Sequence, residues 1–114
     1  MEDIRLKTVS WTFAGREWQL CCNMNVLADV QSIYGDLSSA FSGGMMRSVL
    51  DFLAAMMNDY AESQNWQIRY TGRQLGRDLS WQEFQQVQEL VMDLVTSAIS
   101  SGDEEAPDEE ASKN

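Results

Sequence analysis

Histidine is absent from this chain, and with it goes the side chain that most often activates a serine or cysteine nucleophile. The two cysteines, Cys21 and Cys22, are adjacent. Neighbours in a strand point to opposite faces, and a bridge between them would need distorted geometry. They are expected to stay reduced and to pack as small apolar groups. Without a Cys-x-x-Cys pair or a histidine, the usual zinc and haem motifs are missing. Gly43-Gly44 and Gly72-x-x-x-Gly76 both lack the Lys-Ser/Thr that follows the glycines of a phosphate-binding loop. These absences predict a protein that is not an enzyme, with no cofactor and no metal.

Positive charge is also scarce. Eight Lys and Arg stand against 18 Asp and Glu, for a net charge of -10. A nucleic-acid binder needs cations to displace counterions, and an anionic membrane surface attracts basic segments, so neither partner is expected. No apolar run approaches the roughly 20 residues that span a bilayer. Met1-Glu2-Asp3 opens acidic, unlike the positive start of a secretory leader. A cytoplasmic location is the expectation.

The 114 residues, 44% of them apolar, suit one domain. Residues 4–24 read as a β-hairpin. Ile4 and Leu6, then Val9, Trp11 and Phe13, recur at period two with a phase change that suggests a bulge near Lys7–Thr8. Ala14-Gly15-Arg16-Glu17 is the predicted turn, and Trp18, Leu20, Cys22 and Met24 form the apolar face of the second strand. Asn23 or Asn25 can cap a first helix carrying Leu27, Val30, Ile33 and Tyr34, which stops at Gly35. Asp36 can cap a short turn through Leu37, Ala40 and Phe41.

Met45 to about Asn65 is the next helix, with a stripe of Met46, Val49, Leu50, Leu53, Met56, Met57 and Tyr60. Asp51, Asn58, Asp59 and Glu62 lie between these and predict a wet face. A metal site at Asp51, Asp59 and Glu62 is the lesser reading. Trp66, Ile68 and Tyr70 alternate with polar residues in an extended connector. Two capping boxes follow, Thr71 with Gln74 and Ser80 with Glu83. The second opens a helix whose stripe of Phe84, Val87, Val91, Leu94, Val95 and Ala98 runs to about Ile99. Gly102 closes the ordered region. The acids of 103–110 cannot bury enough surface to offset their ordering entropy, so 102–114 is predicted to be a disordered tail. It would serve solubility first, partner docking second and phosphate mimicry last.

The fold class is therefore α+β, mainly α. An N-terminal hairpin packs on a small bundle of four to five short helices in a domain of residues 1–101. Candidate partner contacts are Met45, Leu53 and Met56 on the methionine-rich helix, with Met46 and Met57 the more buried pair. Methionine surfaces adapt to apolar helices, although filling the core is the plainer role for these side chains. Arg73 and Arg77, four apart, are either a solvated face or an anchor for the acidic tail or an acidic partner.

Gly15-Arg16-Glu17-Trp18-Gln19-Leu20, Asn23-Met24-Asn25-Val26-Leu27 and Ile33-Tyr34-Gly35-Asp36-Leu37 together resemble the tail assembly chaperones of long-tailed bacteriophages and prophages. The likeness covers roughly the first third of the chain closely and the rest in outline. It implies a non-enzymatic chaperone that binds the tape measure protein, keeps it soluble and helps tail-tube protein polymerise around it. Homo-oligomers are compatible with this role. It also implies, in many such phages, a programmed frameshift, for which Lys113-Asn114 can be encoded by an A-rich slippery run. The rival expectations are a structural minor tail protein and an acidic inhibitor that mimics DNA.

Overall fold

Thr8–Phe13 (β1) and Arg16–Cys21 (β2) are joined through only Ala14 and Gly15, both at positive φ, 54° and 74°. That is the two-residue turn whose twist matches a right-handed hairpin. The turn is tighter than the expected four residues, and Arg16 and Glu17 belong to the strand. Antiparallel pairing sets Val9 opposite Leu20, Trp11 opposite Trp18 and Phe13 opposite Arg16. The computed structural model describes residues 7–42 and 45–105. The expected contributions of Ile4, Leu6 and the Gly43-Gly44 break lie outside them, as does the predicted character of 106–114.

Five helices follow among the described residues: α1 (Met24–Tyr34), α2 (Leu37–Ser42), α3 (Met45–Ser63), α4 (Gly72–Asp78) and α5 (Trp81–Glu105). The predicted class, a hairpin on a mainly helical bundle, is the observed one. No described helix is long and apolar enough to cross a membrane. Asn23 caps α1 by accepting the Val26 N–H at 3.0 Å. Asn25 does not cap; its amide donates to Asp59 at 3.3 Å. Asp36 Oδ1 accepts the Ser39 N–H at 2.8 Å. Both capping boxes form. Thr71 and Gln74 exchange bonds of 3.1 and 2.8 Å, and Ser80 and Glu83 bonds of 3.1 and 2.9 Å.

The helix α3 is the axis of the fold. It packs against β2, α1, α2, α4 and α5, and every residue from Ser48 to Met57 is buried. The expected wet face is therefore wrong for this stretch: Asp51 is only 8% exposed. Its carboxylate accepts the Tyr34 hydroxyl at 2.6 Å, so a partner compensates the burial of the polar group. Trp18, Leu20, Val26, Val30, Phe52, Leu53, Met56, Leu75, Val87, Val91 and Leu94 complete the core around it. Each such side chain contributes about 2 kcal/mol through its removal from water.

Three further expectations are corrected. Met24 is 76% exposed, because the strand ends at Cys21 and the period of two no longer applies once α1 begins. Ile33 is exposed as well, and Val26 joins Val30 as the buried face of α1. The helix α5 runs through Gly102 to Glu105. Glycine costs a helix interior about 1 kcal/mol but does not by itself end it, so the helix passes the end expected near Ile99 and the stop expected at Gly102.

Candidate interaction surface

The connector 64–71 is held by side chains rather than by strand pairing. Trp18 lies edge-on to Tyr60, Trp66 and Tyr70, with ring centroids 5.5 to 6.3 Å apart. Arg16 covers the Trp66 ring at 4.3 Å, a cation–π contact. This aromatic cluster fixes the hairpin on α3 and orients the start of α4. Two clefts of about 420 Å³ flank the connector. Polar side chains line the one formed by Asn58, Glu62, Asn65 and Gln67.

A third cleft, of about 330 Å³, opens where the first turns of α3 and α5 meet α4. Its floor is Leu50 and Phe84, both buried. Its rim is Met46, 51% exposed, and Trp81, 62% exposed, with Leu79 half-buried between them. Trp81 stacks on Phe84 at 5.9 Å with the rings 22° apart. Met45, also exposed, lines a separate small cavity with Phe52 and Met92, and its sulfur accepts a bond from Gln88 Nε2 at 3.4 Å. Singly exposed apolar residues are ordinary, whereas several gathered over one concavity mark a contact surface.

Local sequence explains the exposure. The Ser80 cap makes Trp81 the first residue of α5, one turn before Phe84. The apolar stripe thus begins before the neighbouring helices cover it. Met45 and Met46 likewise open α3, ahead of its buried stretch. Gly76 forms part of the floor: a Cβ there would meet Leu50 Cδ1 at 3.5 Å.

The five residues nominated from sequence divide. Met45 is exposed at the start of α3, and Arg73 and Arg77 are exposed on α4; none of the three lines this cleft. Leu53 and Met56 are core, at 0% and 1% exposure, and cannot touch a partner without unfolding. The expected order of burial also fails: Met57 is buried, but Met46 is exposed and Met56 is not. The stripe contains both, and only the tertiary cover separates them. Met46, Arg47, Gly76, Leu79 and Trp81 were missed as surface residues. The signal available for Trp81 was its place directly after a capping residue, where a helix face outruns its partners.

Two of the three acids that made up the lesser, metal-site reading are engaged separately. Asp51 holds Tyr34, while Asp59 accepts from Asn23 at 2.7 Å and from Asn25. Burial raises the Tyr34 hydroxyl pKa, and its bond to Asp51 adds to the effect. Burial also raises the Cys22 thiol to about 11, with Cys21 a lesser cause. A thiol kept protonated is a poor nucleophile. Cys21, half-buried beside Thr8, is raised for the same first reason. What the described residues offer is therefore a shaped apolar cleft with Arg47 on its wall. In comparisons with models of protein families, with curated proteins and with solved structures, nothing matches this chain.

Proposed function

We propose that this chain is a tail assembly chaperone of a long-tailed bacteriophage or prophage. It acts without catalysis in the host cytoplasm, holding the tape measure protein soluble while tail-tube protein assembles on it. The single observation that carries the reading is the cleft at the start of α3 and α5, where Met46 and Trp81 stand exposed above Leu50 and Phe84. An adaptable methionine and a rigid aromatic are suited to gripping the apolar stripe of a helix. The net charge of -10 supports the reading from another side, because like charge keeps loaded chaperones apart. The likeness of the Gly15–Leu20, Asn23–Leu27 and Ile33–Leu37 segments supplies the identity of the client.

Co-expression with the tape measure protein of the same phage tests it. The client is expected in the soluble fraction with this chain and in aggregates without it. Trp81→Ala is expected to weaken the complex about tenfold or more, as central aromatic anchors do. Met46→Glu should weaken it too and still fold, because that side chain is exposed, whereas Met56→Glu should unfold. A client that stays insoluble, or this chain found as a constituent of purified virions, would overturn the proposal.

A further inference from the structure

The strand β1 pairs with β2 along one side, and among the described residues no strand lies along the other. The two-residue turn makes Phe13 and Arg16 a hydrogen-bonded pair, so in the observed register Trp11 with Trp18 and Val9 with Leu20 are hydrogen-bonded pairs as well. The N–H and C=O groups of Thr8, Ser10 and Thr12 therefore point away from β2, along the outer edge. Among the described residues no backbone hydrogen bond meets them, and no helix packs closely on β1. Natural sheet edges are guarded by charge, proline or a bulge. Thr8-Val9-Ser10-Trp11-Thr12-Phe13 has none of these, whereas β2 carries Arg16 and Glu17. Val9, Trp11 and Phe13 stay half-buried behind this edge, with the Trp11 and Phe13 rings stacked at 5.1 Å.

We propose that β1 pairs antiparallel with β1 of a second copy of this chain, joining the two hairpins into one sheet with Ser10 on the two-fold axis. The inference stands apart from the chaperone reading. A two-fold contact must be self-complementary, and a charged strand would repel its own copy. In a chain of net charge -10, β1 is six residues without a charge. The two-fold axis keeps the apolar faces of both hairpins on one side of the sheet. Centred on Ser10, it sets Ser10 opposite Ser10, and Thr8 opposite Thr12 of the second copy, so every outward N–H and C=O finds a partner. Centred on Trp11, it would leave those of Thr8 unpaired. The first register also places Val9 opposite Trp11 of the second copy at the positions where side chains approach most closely. A β-branched and an aromatic side chain form a favourable cross-strand pair. On the outer face the Ser10 hydroxyl is already engaged by Gln19 at 2.9 and 3.2 Å, so it is the backbone that seeks a partner. The joined sheet is also a sturdier unit than a lone hairpin.

Sedimentation of the full chain at rising concentration is expected to show monomer passing to dimer. Residue-resolved hydrogen exchange identifies the contact. The amides of Thr8, Ser10 and Thr12 should slow as the dimer fills, while those of Val9, Trp11 and Phe13, already bonded to β2, should change little. Ser10→Pro removes an outward N–H from each copy and no bond to β2, and an edge strand tolerates proline. It should weaken the dimer about tenfold or more. Ser10→Lys sets like charges opposite each other across the axis and should weaken the dimer as well. It serves if circular dichroism shows that the proline variant is not folded. Trp81→Ala, at the separate cleft, should leave the dimer unchanged. A chain still monomeric at about 1 mM, where a contact worth about 4 kcal/mol would show, overturns the inference. So does a dimer that Trp81→Ala dissolves or that Ser10→Lys spares. Amides of Thr8, Ser10 and Thr12 that exchange slowly at every concentration would mean that the chain covers its own edge, which overturns it too.

Discussion

The side-chain amide of Asn58 grips the backbone of Tyr70 with two hydrogen bonds. Its Nδ2 donates to the Tyr70 carbonyl at 2.9 Å, and its Oδ1 accepts the Tyr70 N–H at 2.8 Å. The pair imitates one rung of a sheet for a connector that has no strand partner, and it satisfies backbone groups that are half withdrawn from water. Tyr70 in turn packs on Phe13 and Trp18. Asn58 therefore links the middle of α3 to the hairpin. Asn58→Asp replaces the donor with a carboxylate facing a carbonyl. A loss of about 1–3 kcal/mol in stability is expected, together with faster hydrogen exchange of the Tyr70 amide. Unchanged exchange at Tyr70 would show that the grip does not hold the connector.

The turn Ala14-Gly15 contains a second readable cost. Ala14 sits at φ 54°, where a Cβ strains the backbone by about 1–2 kcal/mol. Asparagine tolerates this region, and Asn-Gly is the favoured pair for this turn. Ala14→Asn should raise the melting temperature by about 4 °C or more, the shift that about 1 kcal/mol produces in a domain of this size. Ala14→Val should lower it. No gain in Ala14→Asn would place the strain elsewhere.

Two glycines of α4 should respond to alanine with opposite signs. A Cβ on Gly72 would overlap the Asp51 carboxylate, which is held in place by the Tyr34 hydroxyl, and would crowd Arg47 Nη1 at 3.3 Å. Gly72→Ala should cost about 1–3 kcal/mol, the usual penalty of overpacking. At Gly76 the nearest atom is Leu50 Cδ1 at an ordinary 3.5 Å. Gly76→Ala should add about 0.5–1 kcal/mol through helix propensity. Denaturant melts of both variants check the contrast, and two changes of the same sign would contradict it.

The local devices were legible in the sequence because they depend on residues three or four apart. The boxes Thr71–Gln74 and Ser80–Glu83, the Asn23 and Asp36 caps and the stop at Gly35 are of that kind. What failed depended on how many elements surround a helix. Periodicity shows which side of α3 is apolar, but not that five elements enclose it. Asp51 thus looked wet until Tyr34, 17 residues away, supplied its partner. The candidate surface was half legible for the same reason. Met45, Arg73 and Arg77 are exposed as expected, whereas Met46 and Met56 exchanged places because the start of a helix outruns its cover.

The two cysteines give a prediction in pH. The ordinary thiol value is 9.0, and burial holds Cys22 protonated to about 11 in the folded chain. Tyr34 is likewise raised above 10.0, by burial first and its bond to Asp51 second. The unfolded chain therefore releases these protons before the folded chain does. The associated stability is present in full below pH 9 and is lost as pH rises through about 11. The melting temperature should be insensitive to these groups near neutrality and fall above pH 9. Cys22→Ala should melt lower at neutral pH, because it leaves a cavity, yet lose less per pH unit above 9. In parallel, iodoacetamide should label the half-buried Cys21 well before Cys22, which is 2% exposed. Equal labelling rates would mean that Cys22 reaches solvent through local opening, and an identical alkaline slope in Cys22→Ala would assign the loss to Tyr34 and Cys21.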